Sequence, residues 1–167
     1  MEGPTTKEHK KDVPKNIKCA IITLSDSRTL NDDVSGDLIK TLLTKEGHQV
    51  IEHIVLKDEG KLLIKEIKKL TKNAEVIITS GGTGIAKRDI TVDSLDKLFQ
   101  KRFTAFGSVF ASLSYNDIGS SAIMSRATAG TIDKTAIFCL PGSPKAVELG
   151  MKKLILPEIG HIVKHLR

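Results

Sequence analysis

Residues Ala74–Asp89 read AEVIITSGGTGIAKRD, and this stretch decides the fold. The apolar run Glu75–Thr79 has the length and β-branched content of a buried strand, and it feeds straight into Ser80, Gly81, Gly82, Thr83 and Gly84. Two adjacent glycines and a third after Thr83 free the backbone of side-chain bulk. Such a turn bends sharply, visits positive φ and points several N–H groups at one oxyanion. Open α/β sheets bind their ligands at the carboxyl ends of strands, where this turn lies. Lys87, Arg88 and Asp89 place two cations and a carboxylate beside it. A tight structural loop with solvated charges is the plainer reading of the same residues. The turn is not a P-loop, because no Gly-Lys-Ser/Thr triplet follows the glycines, and it lacks the G-x-G-x-x-G spacing of dinucleotide sites.

Outward from the turn, strands alternate with helices. Lys18–Leu24 (KCAIITL) is a near-continuous apolar strand of the kind covered on both faces. Val34–Glu46 carries Val34, Leu38, Ile39, Leu42 and Leu43 at helical spacing, with Gly47 as its stop. His48–Leu56 reads as a second strand, and Leu62–Leu70 as a helix with outward lysines. Strand–helix–strand–helix–strand with short connections implies a parallel sheet with right-handed crossovers. Further on, Val92–Gln100 and Phe106–Leu113 read as short helices, Ile118–Met124 as another candidate, and Ala127–Asp133 as a strand or extended turn. Thr135–Leu140 is a buried strand ending at Pro141-Gly142-Ser143-Pro144. Ser143 and Pro144 suit the N-cap and first position of a helix over Lys145–Leu154, and Pro157 is expected to break or kink the chain after it.

Composition narrows the class. A chain of 167 residues is long enough for one full core, and 40% hydrophobic with 28% charged residues reads as globular. No apolar run approaches the roughly 20 residues of a membrane span. Residues 1–16 read as a flexible lysine-bearing tail without a secretory signal, ahead of one domain over 17–167. The net charge of +6 favours anionic ligands, but 4% aromatics leave little stacking surface for single-stranded nucleic acid. No specific nucleic-acid partner and no membrane partner are expected. Cys19 and Cys139 lack metal or redox spacing and read as buried thiols of a cytoplasmic protein. His161 and His165 have i, i+4 spacing that could ligate a metal, with a plain exposed helix face as the simpler reading.

The carboxyl ends of parallel strands share one sheet edge. The first strand ends in Ser25-Asp26-Ser27, the second in Lys57-Asp58-Glu59-Gly60, the third in the glycine turn, and the last in Pro141–Pro144. That edge collects hydroxyls, free amides and the carboxylates of Asp58 and Asp89. Carboxylates beside a phosphate site repel the phosphate unless a divalent cation lies between, so the set points to magnesium-dependent nucleotidyl or phosphoryl transfer. Asp58 and Asp89 also each suit a helix cap, and Asp26 and Ser27 suit a turn.

The ordered set TLSDSR (Thr23–Arg28), SGGTG (Ser80–Gly84), RDIT (Arg88–Thr91), SRATAG (Ser125–Gly130) and LPGSPKAV (Leu140–Val147) resembles the MoaB/MogA family of molybdopterin adenylyltransferases. The resemblance spans roughly residues 17–154. It implies a three-layer α/β/α sandwich with a mostly parallel central sheet, usually assembled as a trimer and working beside other molybdenum-cofactor biosynthesis proteins. It implies transfer of AMP from Mg-ATP to molybdopterin with release of pyrophosphate. Carried over, Ser80, Gly81, Gly82, Thr83 and Gly84 hold phosphate. Asp58 and Asp89 position magnesium or substrate, with Arg88 beside them. Ser25, Asp26, Ser27, Ser125, Arg126, Pro141, Gly142 and Ser143 line the pterin-phosphate pocket. Many relatives carry G-F-G-E where this chain has Ala105-Phe106-Gly107-Ser108, so a non-catalytic molybdopterin binder or carrier of the same pathway is the alternative.

Overall fold

The computed structural model describes residues 12–167. Its elements run β1 (Lys18–Leu24), α1 (Val34–Lys45), β2 (Gln49–Leu56), α2 (Gly60–Leu70), β3 (Val76–Ser80), α3 (Thr91–Leu95), β4 (Lys101–Arg102), α4 (Thr104–Ile118), β5 (Thr128–Ile132), β6 (Thr135–Leu140), α5 (Pro144–Gly150) and α6 (Leu156–Leu166). They build one six-stranded sheet in the order β2-β1-β3-β6-β5-β4. The first four of these strands are parallel, β5 runs antiparallel to β6, and β4 antiparallel to β5.

The three layers follow from alternation along strands that are apolar on both faces. Cys19 and Ile21 of β1, with Val76 and Ile78 of β3, pack with Ile39, Leu43, Phe110, Val147, Ile159 and Val163 of α1 and α4 to α6. Their neighbours Ala20, Ile22 and Ile77 face the opposite way, onto Leu63, Ile67 and Leu95 of α2 and α3. The sandwich is therefore α/β/α, with two cores separated by a mostly parallel sheet.

Several elements depart from the sequence reading. The helix read over Val92–Gln100 stops at Leu95, because the chain turns to join the sheet edge: the Gln100 N–H donates to the Thr131 carbonyl at 2.9 Å. The two-residue strand β4 carries no periodic signal and was invisible in sequence. The helix read over Phe106–Leu113 extends over Thr104–Ile118 and ends at Gly119, whose φ is +59°. Pro157 does not break the last helix. A π-helical turn over Met151–Ile155 links α5 to α6 without interruption, and Pro157 falls in the first turn of α6, where its missing N–H costs least. Of the tail read over 1–16, the first eleven residues lie outside the described part; Val13 and Pro14 are half-buried, with Val13 against Gly160 of α6.

Candidate functional site

The carboxyl ends of β1, β2, β3 and β6 meet at one edge, and short-range hydrogen bonds shape each loop there. After β1, the Ser25 N–H donates to the Leu56 carbonyl of β2 at 2.8 Å. Ser25 Oγ accepts from the amides of Ser27 and Arg28, so this residue is a turn former as well as a wall residue. Asp26 Oδ1 accepts the Asp58 N–H at 3.1 Å and ties the loop after β1 to the loop after β2.

After β3, the backbone takes the positive φ that only glycine adopts freely, +99° at Gly81 and +66° at Gly82. A Cβ on Gly81 would lie 2.5 Å from the Leu24 carbonyl oxygen, and a Cβ on Gly142 of the β6 turn would lie 3.3 Å from Gly81 Cα. Bare backbones therefore stack across three neighbouring strand ends. The Gly81 N–H is spent on the Leu140 carbonyl at 3.0 Å. The amides of Gly82, Thr83 and Gly84 have no acceptor among the described residues, which leaves them as the donors of the expected oxyanion cradle. Thr91 buckles the turn shut: its Oγ1 donates to the Gly81 carbonyl at 2.9 Å and its N–H to the Gly82 carbonyl at 3.0 Å.

The loop 84–89 is held by two devices. Asp89 Oδ2 accepts the Ala86 N–H at 2.8 Å, closing the turn on itself. Arg126 reaches across with its guanidinium, donating to the carbonyls of Gly84 and Asp89 and pairing in a two-toothed fork with Asp93 at 2.9 and 3.0 Å. That pairing holds the Asp93 carboxyl below its usual range.

Between these loops lies a cavity of about 480 Å³. Of the residues expected to form the site, Ser25, Asp26, Ser27, Asp58, Gly81, Gly82, Arg88, Asp89, Gly142 and Ser143 line it. Ser80, Thr83, Gly84, Ser125, Arg126 and Pro141 are off its wall. Ser80 and Thr83 are buried beneath the turn, and Arg126 acts as the loop clamp rather than as a lining group. Three further wall residues, Leu24, Arg28 and Pro144, were not expected at the site, and each adjoins one that was. The capping alternative for the two acids does not occur: Glu59 and Ile90 occupy the N-cap positions of α2 and α3, and no side chain caps either helix. Ser143 does cap α5, accepting the Ala146 N–H at 3.2 Å.

The electrostatics of the cavity are those of crowded like charges. Burial pushes the Asp58 carboxyl above its usual range, the Asp26 and Asp89 charges push the same way, and only Arg88 opposes them. No group of three or more His, Cys, Asp or Glu converges to enclose a metal among the described residues. Asp58 and Asp89 on the wall could serve a magnesium ion, which takes one or two carboxylates and fills the rest of its shell with phosphate oxygens and water.

Behind the wall lies a buried network that the sequence did not disclose. Asp33, fully buried, caps α1 by accepting the Gly36 N–H at 3.0 Å, and also accepts from Thr23 Oγ1 at 2.6 Å and His53 Nε2 at 2.9 Å. Gly36 is required there, since a Cβ would overlap both Asp33 and His53. Two residues on from Asp33, Ser35 Oγ donates to the Gly142 carbonyl at 2.8 Å. One helix start thus fixes the ends of β1 and β6, the two flanks of the cavity.

Comparison with known proteins fits this edge. The family described as "Probable molybdopterin binding domain" matches residues 20–161. Molybdenum cofactor biosynthesis protein B of Bacillus subtilis is 43% identical over 166 residues, covering 98% of both chains. The chain belongs to this family. The protein of the same name from Staphylococcus carnosus is 42% identical, over 91% of this chain and 92% of its own. Among solved structures, a molybdenum cofactor biosynthesis protein B superposes with a TM-score of 0.89 at 44% identity, covering 92% of this chain and 97% of its own. The tungsten cofactor synthesizing protein MoaB from Pyrococcus furiosus gives 0.82 at 39% identity, covering 92% and 99%. These likenesses span nearly the whole chain, so the shared sheet edge belongs to the family fold. No helix among the described residues is long and apolar enough to cross a membrane.

Proposed function

We propose that this chain serves molybdenum-cofactor biosynthesis as a molybdopterin adenylyltransferase, moving AMP from Mg-ATP to molybdopterin with release of pyrophosphate. The observation that carries the reading is the convergence of Asp26, Asp58, Asp89 and Arg88 around a glycine turn in one cavity. The terminal phosphate of the pterin attacks the α-phosphorus of ATP, a new P–O–P link forms, and the bond to the β-phosphate breaks to release pyrophosphate. Such a reaction needs in-line positioning and charge neutralisation more than covalent help. The Gly82 amide and the guanidinium of Arg88, both on the cavity wall, hold phosphate. Asp58 and Asp89 would hold magnesium, whose chemistry is to neutralise charge on the phosphates. The cytoplasm is the expected compartment.

Incubation with molybdopterin, ATP and magnesium, followed by mass detection of the adenylylated product and assay of pyrophosphate, tests the reading. Asp89→Asn keeps an acceptor for the Ala86 N–H and is expected to fold while losing about a hundredfold or more in rate. Equal pyrophosphate release by variant and wild type removes Asp89 from the mechanism. Retention of molybdopterin without product would establish the alternative, a non-catalytic binder or carrier. Ser108, the residue that motivates that alternative, is exposed on α4 and lines no part of the cavity, which favours the catalytic reading. We further propose a homotrimer, with the exposed Tyr115, Ile118, Ile123 and Met124 as part of its contact; sedimentation equilibrium of the full chain at trimer mass is the expected result.

A further inference from the structure

The terminal helix carries two imidazoles that face each other. His161 and His165 lie one turn apart on α6, their Nε2 atoms 2.9 Å from each other, their ring centroids 4.7 Å apart and their planes at 60°. On the far side of the His161 ring, Nδ1 lies 3.4 Å from the Glu158 carboxylate. An ionised carboxylate only accepts, so Nδ1 carries the proton in that contact and His161 Nε2 presents a lone pair to His165. A carboxylate behind one ring nitrogen is the outer-shell arrangement that orients metal-ligating histidines. Without a cation the two rings are close enough to share one N–H···N hydrogen bond. Two nitrogens each about 2.0–2.1 Å from a shared cation stand about 2.9 Å apart at the right angle of tetragonal coordination and about 3.4 Å apart at the tetrahedral angle, so a parting of about half an ångström admits zinc.

We propose that His161 and His165 form a binding site for one divalent transition cation of the zinc class, oriented by Glu158. Imidazole suits zinc, nickel and copper, whereas magnesium prefers oxygen, so this site does not compete for the cation of the cavity. Binding requires the His165 proton to sit on Nδ1, which frees its Nε2; with both rings neutral, no net proton is released. Among the described residues no third His, Cys, Asp or Glu completes the set. The site is remote from the glycine turn. Arg167 Nη2 pairs with Glu75, just ahead of β3, which places the end of α6 at the opposite edge of the sheet. Gly160, next to His161, packs against Val13 and Pro14 of the entering chain. A cation here clips the last turn of the terminal helix beside the start of the fold, and a ligand that binds only the folded state stabilises it by mass action.

Calorimetric titration of the full-length chain with zinc chloride, in buffer free of phosphate and chelator, tests the site. Wild type is expected to show one equivalent of binding, reversed by chelator, and a zinc-dependent rise in thermal midpoint. His161→Gln and His165→Gln each should lose the step and the rise while keeping the zinc-free midpoint. Glu158→Gln should weaken binding about 10- to 100-fold, the usual cost of losing an outer-shell partner. Absence of the step in wild type, or its survival in both histidine variants, overturns the proposal.

Discussion

Asp33 is the residue whose loss should cost the fold most for its size. It is buried, and it satisfies three donors from three elements: the Gly36 amide, the Thr23 hydroxyl and the His53 imidazole. Asp33→Ala strands all three. A buried unsatisfied group costs about 1–3 kcal/mol, and a lost N-cap alone about 1 kcal/mol, although Thr23 can rotate its hydroxyl toward another acceptor. Together these give a loss of about 3–5 kcal/mol, a large share of the roughly 5–15 kcal/mol that holds a domain together. Asp33→Asn keeps the shape and one acceptor oxygen but trades charge-assisted bonds for neutral ones, for a loss of about 2 kcal/mol. Equilibrium unfolding in urea, with the slope checked for constancy, measures both. An Asp33→Ala protein within about 1 kcal/mol of wild type would refute the reasoning, because that is no more than a cap is worth. The pH dependence is a second check. Burial works to raise the Asp33 carboxyl, but hydrogen bonds from Thr23, Gly36 and His53 outweigh it and hold it below the usual range. A carboxyl lowered by folding contributes its full stability above its unfolded value of about 3.9 and loses that contribution as pH falls through the folded value. The stability gap between wild type and Asp33→Asn should therefore hold from neutral pH down to about 4 and close below it.

Other consequences concern the turn, the cavity and the thiols. Gly81→Ala and Gly119→Ala both force alanine to positive φ, but a Cβ at 81 meets the Leu24 carbonyl oxygen at 2.5 Å while one at 119 meets nothing within 4 Å. Chemical denaturation should show a loss of about 1–3 kcal/mol at 119 and a clearly larger one at 81, where strain and overlap add; equal losses would sink the argument. Asp58 has a carboxyl raised by folding, so its charge costs the unliganded protein stability at neutral pH, and that cost fades as pH falls through the folded value. Asp58→Asn should accordingly raise the thermal midpoint at pH 7 while lowering activity with ATP and molybdopterin; a lowered midpoint would contradict the crowding. Cys19 and Cys139 are buried with thiols pushed up to about 12, so an aromatic disulfide reagent should label neither in the native protein and both after unfolding.

The chemistry of the glycine turn looks different once its neighbours are known. A Gly82→Val change reads in sequence as a side chain blocking the approach of phosphate. In the fold, a Cβ at Gly82 points at Thr91 Oγ1, 2.3 Å away, so the damage would come from unbuckling the turn. Arg126 likewise reads as a pocket cation and is instead the clamp of the loop after the turn.

What the sequence determined by itself is what repeats locally: apolar runs long enough for doubly covered strands, helical spacing in α1 and α2, the glycine turn after β3, and the Ser143–Pro144 start of α5. These signals are carried by near neighbours, so they survive without the fold. Most of the cavity wall was legible for the same reason, since parallel strands deliver their terminal loops to one edge whatever the detailed packing. Tertiary structure alone decided the rest. Strand β4 exists because β5 offers a free edge, not because two residues prefer extension. The helix passes Pro157 because a π-helical turn precedes it. Asp33, Thr23 and His53 converge from positions up to 30 residues apart. No local spacing records such meetings, because the energy of a buried polar contact depends on which groups the packing brings face to face after the chain has folded.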